Sequence, residues 1–294
     1  MLRITDARTG ETVDAVRARR GLTRVEAHVA GDDLSALRVL LVADVLARAL
    51  ELGGTPVVTV ADPPAGLRAL ADALGIRRAE GERGGAGPAL HVVGTTGGTA
   101  DGPVADGPVA GRSPSGGQAS DGPPSDGPVP SDGPAPSDGP PSDGRAPSDE
   151  NPAGRRPAVI PGLPDPEREG VRVEVAPVSG TADHALLRMI LLATPRGHSL
   201  DLAAADLDGS RETLARWRKA VAGWATRPSR PVPEPVRQEL RAAWEDDLDV
   251  PAVLAVLRRV EHAEDVPDGA RFETYAYADR LLGLELTRDI GTQW

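Results

Sequence analysis

Five histidines, one lysine and no cysteine set the limits of what this 294-residue chain can do chemically. Without cysteine there is no thiolate nucleophile, no disulfide and no Cys-ligated zinc or iron–sulfur centre. Lys219 is the only lysine, so chemistry that needs two lysines is excluded. His28 stands near the end of the alternating run Arg24–Ala30, just before Gly31-Asp32-Asp33. The stretch before such a turn is where ligands meet open α/β sheets, but alternation makes His28 equally a wall or surface residue, and that reading is preferred. His91, within Ala89–Val93, follows the same logic more weakly. Asp32 and Asp33 are adjacent carboxylates that could hold a divalent cation or work as an acid–base pair. The competing reading, a turn with Asp33 as helix N-cap, is favoured by the known preference of aspartate for that position. Asp246, Asp247 and Asp249 look like a metal cluster, although Asp249 before Pro251 also suits a helix cap. Thr95-Thr96-Gly97-Gly98 could cradle a phosphate, but no helix pattern follows it. Arg216, Arg218 and Lys219 form a small basic patch, read as a solvated helix face rather than an RNA contact.

The elements that must position these residues follow from periodicity. Arg24–Ala30 suits a strand and Leu34–Leu52 a helix with charged positions only at Arg38, Asp44, Arg48 and Glu51. A helix so apolar is expected to be covered on most sides. Gly53-Gly54 ends it, and Pro56–Ala61 is a second apolar strand. Strand, helix and strand in that order predict parallel pairing with a right-handed crossover. Leu67–Leu74 reads as a short helix, with Ala89–Val93 and Val171–Val175 as further strands. From His184 onward the pattern is helical: His184–Ala193, Leu202–Trp224 with a break at Asp208-Gly209-Ser210, Pro235–Trp244, Pro251–His262 and Arg271–Leu284. Ser210 and Thr213 are the expected caps after the break, and Asp249 the cap before Pro251. Trp217, Trp224 and Trp244 fall at bundle-core positions. The expected architecture is α/β: a truncated Rossmann-like domain with a parallel sheet, then a C-terminal α-helical bundle.

Between these parts, residues 101–152 hold repeated Ser-Asp-Gly-Pro units and no aromatic residue. Eight Asp and Glu150 there face only Arg112 and Arg145, so much of the chain's net charge of −11 lies in this segment. Such a composition cannot bury enough apolar surface to offset chain entropy, and disorder is expected. The boundaries read 1–98 for the first part of the α/β domain, 99–157 for the insert, 158–182 for strands completing the α/β part and 183–294 for the helical bundle. The near-neutral flanks lack the broad basic footprint of a nucleic-acid binder. Met1–Asp6 shows no charged-then-apolar leader and no apolar run is long enough to span a bilayer, so a cytoplasmic location off the membrane is expected.

Several segments carry a resemblance. His184–Thr194 (HALLRMILLAT), Leu214–Val221 (LARWRKAV), Ala243–Leu257 (AWEDDLDVPAVLAVL) and Ala278–Leu286 (ADRLLGLEL) are similar to consecutive C-terminal segments of the cysteine-activating class I ligases. These are the cysteinyl-tRNA synthetases and the ligases that join cysteine to glucosaminyl-inositol in mycothiol synthesis. Leu2–Ala7 and Val25–Val60 resemble that family's opening segment and its first strand–turn–helix–strand. The resemblance implies a synthetase-type fold with 1–98 as a degenerate nucleotide-binding half-domain, ATP and cysteine as ligands, and zinc on a cysteine that ends the first strand. It also implies that Asp246, Asp247 and Asp249 cap and position a helix. It further implies two signature motifs, one with paired histidines and one with lysines. At the first motif this chain reads Val29-Ala30-Gly31-Asp32-Asp33-Leu34-Ser35, and at the second Ala176-Pro177-Val178-Ser179-Gly180. Neither holds the family's histidines or lysines. The resemblance therefore implies a remnant pocket at His28, Gly31, Asp32 and Asp33, with no catalytic residue, no resident zinc and ATP only as a candidate ligand. The expected role is a non-catalytic binding or regulatory protein with a protein partner. A divergent cysteine-activating ligase and a tRNA-binding module are the alternatives.

Overall fold

A computed structural model of the chain describes residues 1–16, 22–80, 89–95 and 170–292. The acidic insert lies outside the described residues. A hairpin opens the described part of the chain, β1 (Arg3–Asp6) with β2 (Glu11–Asp14). The main sheet follows: β3 (Thr23–His28), β4 (Val57–Val60), β5 (Ala89–Gly94) and β6 (Val171–Val175). Its order is β4-β3-β5-β6, with every pair parallel, as the strand–helix–strand pattern requires. The chain leaves β3 through helix α1 (Leu34–Leu52) to β4 on one side, and β5 then lies on the other side of β3. The order reverses between β3 and β5, which makes their carboxyl ends the switch point of the sheet.

Helix α1 is the centre of the molecule. It packs on β3, β4 and β5 and on helices from both ends of the chain. Asp33 starts it, its carboxylate accepting the Ala36 N–H at 2.8 Å. Gly53 and Gly54 end it, Gly54 with a positive φ of 80° that suits glycine. Its apolar surface explains the burial of most of its length, as the sequence predicts.

Then come α2 (Ala65–Ala73), the short parallel pair β7 (Val178–Ser179) and β8 (Leu200–Asp201), and α3 (His184–Ala193). Helices α4 (Leu207–Trp224), α5 (Glu234–Glu245), α6 (Val250–His262) and α7 (Asp268–Leu282) complete the helical part. One hydrophobic core runs from Ile4 and Val25 through Leu37 and Leu46 to Trp217, Trp244 and Leu282. Trp217 and Trp244 are buried as expected, and Trp224 is half-buried against Tyr275.

The start of α4 corrects one expectation. Asp208-Gly209-Ser210 does not break the helix; it is the first turn, and the cap is Asp206 rather than Ser210 or Thr213. The Asp206 carboxylate accepts the Gly209 N–H at 2.9 Å. A Cβ at Gly209 would lie 2.1 Å from that carboxylate, so the glycine makes room for the cap. Asp249 does cap α6, accepting from the Ala252 N–H at 3.0 Å. Asp247 serves the packing instead: it accepts the Thr5 N–H at 2.7 Å and pairs with Arg196, fastening the hairpin to the helical part. Asp247 and Leu248 have φ of 55° and 56°, a conformation that costs a non-glycine residue energy and is held by these contacts.

Candidate functional site

Alternation along β3 divides its side chains between two faces. Val25 and Ala27 enter the core beside α1, which leaves Arg24, Glu26 and His28 on the opposite face. Parallel register sets Glu26 beside His91 on β5 and His28 beside Val93. Three side chains with different positions in the sequence thus converge. His28 Nε2 and His91 Nδ1 lie 3.0 Å apart. Glu26 Oε2 is 3.6 Å from His91 Nδ1 and 3.9 Å from His28 Nε2. Glu26 and His91 are buried, while the His28 side chain keeps 25% of its surface exposed. Arg24 holds the other carboxylate oxygen, donating from Nε at 2.9 Å and from Nη2 at 2.5 Å to Glu26 Oε1. Gly170 closes one side: a Cβ there would lie 2.3 Å from the Ala89 carbonyl oxygen and 3.2 Å from His91 Cδ2.

Two imidazoles and one carboxylate within 4.8 Å of one another can share a proton or hold a metal ion. Among the described residues this is the only group of three or more His, Asp or Glu with metal-ligand spacing. Alternation and the turn after the strand single out His28 and, more weakly, His91 as candidates, whereas neither marks Glu26. The available signal was Glu26-x-His28, which puts two donors on one strand face.

The remaining members of the expected pocket stand apart from this cluster. Gly31, Asp32 and Asp33 are exposed in the turn between β3 and α1. The Asp33 carboxylate is committed to the helix cap. Ser35, in the first turn of α1, exchanges hydrogen bonds with Val178: its hydroxyl accepts the Val178 N–H at 3.0 Å and donates to the carbonyl at 3.3 Å. The segment 176–180 is thereby tied to α1, and through β7 to β8. A cavity of about 320 Å³ lies on the α1 side, lined by Ala27, Asp44, Thr59, Ala61, Arg68 and Arg77 among others. Its basic groups have acidic partners: Arg77 pairs with Asp44 and Glu51, and Arg68 faces Asp62. Two residues of the basic patch on α4 are engaged within the fold, Arg216 with Glu261 and Arg218 with the Leu284 and Glu285 carbonyls. Among the described residues no helix is long and apolar enough to cross a membrane.

No protein-family model matches the chain. Two curated proteins do. The L-cysteine:1D-myo-inositol 2-amino-2-deoxy-alpha-D-glucopyranoside ligase of Streptosporangium roseum is 35% identical over 122 residues, 40% of this chain and 29% of that protein. The protein of the same description from Streptomyces griseus subsp. griseus is 38% identical over 108 residues, 35% of this chain and 25% of that protein. The chain thus aligns with less than a third of the length of these curated relatives. The chain is thus similar over part of its length to these cysteine ligases, and its described residues form a Rossmann-like parallel α/β sheet followed by a helical C-terminal part.

Proposed function

We propose that this chain is a non-catalytic relative of the cysteine ligases, using the inherited scaffold to bind or regulate a protein partner. The observation that carries this reading is the β3–α1 turn. A helix N-terminus attracts phosphate through its free N–H groups and its dipole. Here Asp33 places the chain's own carboxylate on that end, and Asp32 adds a second exposed negative charge. Negative charges placed there repel a triphosphate. The 176–180 segment carries no lysine to offset them, and its backbone is engaged with Ser35 and β8. Transition-state charge in acyl-adenylate formation is stabilised by donors fixed in advance, and each missing donor costs orders of magnitude in rate.

The reading predicts that millimolar Mg·ATP leaves the melting temperature of the full chain unchanged. Binding near saturation would raise it by about 5 °C or more. A rise of that size would favour the divergent-ligase alternative. Salt-sensitive association with tRNA, with its slope set by phosphate contacts, would favour the tRNA-binding alternative.

A further inference from the structure

We propose that Glu26, His28 and His91 bind one divalent transition-metal ion of the zinc type, a property independent of whether the chain binds ATP. The resemblance to cysteine ligases implied a metal on a cysteine, and this chain has none. The donors found here are a different set, one oxygen and two nitrogens carried by two neighbouring strands.

Geometry supplies the first reason. The three donor atoms form a triangle with edges of 3.0, 3.6 and 3.9 Å. The point equidistant from them lies about 2 Å from each, the length of Zn–N and Zn–O bonds. No strand has to move to bring the atoms to bonding distance. Neutral histidine nitrogens and a carboxylate suit zinc and its first-row neighbours, whereas magnesium and calcium call for oxygen donors throughout.

The second reason is how the carboxylate is held. Arg24 takes Glu26 Oε1 from two of its nitrogens and leaves Oε2 turned toward both rings. A ligand oriented by an outer partner is a recurring feature of metal centres. The third is access. Glu26 and His91 side chains are 7% and 4% exposed, while the 25% exposure of His28 leaves a side for an ion to enter. Three protein ligands would leave a fourth position for water or another small donor. The competing account is a hydrogen bond between the two rings, braced by Glu26, with no ion.

The test uses the full chain, stripped with a chelator and titrated with Zn²⁺ against a competing chromophoric chelator. Co²⁺ is added in a parallel experiment and read by its visible d–d absorption. One ion per chain is expected, with the Co²⁺ spectrum of a low-coordinate nitrogen–oxygen site and a zinc-dependent rise in melting temperature. His28→Ala alters a partly exposed side chain and should keep the fold, checked by circular dichroism. It is expected to weaken zinc binding by about 100-fold and to abolish the zinc-dependent rise. His91→Gln, with its buried side chain, serves as a second variant with the same expectation. Substoichiometric binding by the wild type, or binding that His28→Ala leaves unchanged, would overturn the proposal and leave the ring–ring hydrogen bond.

Discussion

Replacing Asp44 by asparagine is expected to cost about 3–5 kcal/mol, enough to leave much of the chain unfolded at moderate temperature. Asp44 lies in the middle of α1 and is 2% exposed. Its carboxylate receives Arg48 Nε at 3.0 Å, Arg77 Nε at 2.9 Å and Arg188 Nη2 at 2.9 Å. Arg188 is itself buried on α3, where it also donates to the Leu282 and Leu74 carbonyls. The network therefore joins α1, α3, the end of α2 and the end of α7. Asparagine preserves the shape but removes the charge, leaving buried Arg188 without its direct ion-pair partner and with only the more distant Asp279 as counter-charge. That poorly compensated charge is the costly element, more than any lost hydrogen bond.

The same residue sets an acid sensitivity. Burial disfavours its ionised form, but attraction to Arg188 and Arg48 and their hydrogen bonds outweigh this and hold the carboxyl below its ordinary value of 3.8. The unfolded chain thus takes up the proton first as pH falls. The Asp44 contribution is whole above about pH 5 and is lost as pH drops through the lowered native value. Denaturant titrations of wild type and Asp44→Asn at pH 7 should differ by the full amount, and the gap should narrow in acid. A difference below about 1 kcal/mol at pH 7 would mean that the network contributes no more than surface ion pairs do.

Arg38→Met is the second large effect, expected to lower the melting temperature by about 10 °C through a loss of roughly 3–5 kcal/mol. Arg38 is 1% exposed, and its hydrogen bonds go to backbone carbonyls. Nη1 donates to Ala176 at 3.0 Å and His198 at 2.7 Å; Nη2 donates to Thr194 at 3.2 Å and Pro195 at 2.8 Å. Burial pushes its pKa down to about 10, which leaves it charged at neutral pH. Methionine fills the volume but removes the donors to three carbonyls in the connection from α3 to β8 and to the Ala176 carbonyl after β6; of these, only Pro195 keeps another donor among the described residues, the His198 N–H at 3.0 Å. Lysine, a point charge without the planar fork, should recover only part of the loss. Limited proteolysis should cut the 194–198 segment faster in Arg38→Met than in wild type. An unchanged melting temperature would show that water satisfies those carbonyls without the arginine.

What the sequence reveals and what it hides follows from the range of each interaction. The β3–α1–β4 unit is local, set by alternation, then a 3.6-residue period, then alternation again, and its parallel pairing follows from connectivity. Asp33 and Asp249 as caps are also local, because a cap bonds only three residues ahead. The charged positions of α1 were visible, but their depth was not. Arg38 and Asp44 look like surface residues until the partners at 176, 188 and 194–198 arrive from more than a hundred residues away. Glu26 was hidden for the same reason, since only the register of β3 against β5 puts it beside His91. The start of α4 was misplaced because glycine inside a helix usually weakens it, whereas Gly209 clears space for the Asp206 cap.

The most direct test of the central reading is cysteine-dependent ATP–pyrophosphate exchange by the pure full chain, run with and without added Zn²⁺. The account predicts exchange no faster than the protein-free blank in both conditions. Exchange that requires cysteine, scales with protein concentration and changes on substituting Asp32 or Asp33 would contradict it and show a working ligase site at the β3–α1 turn.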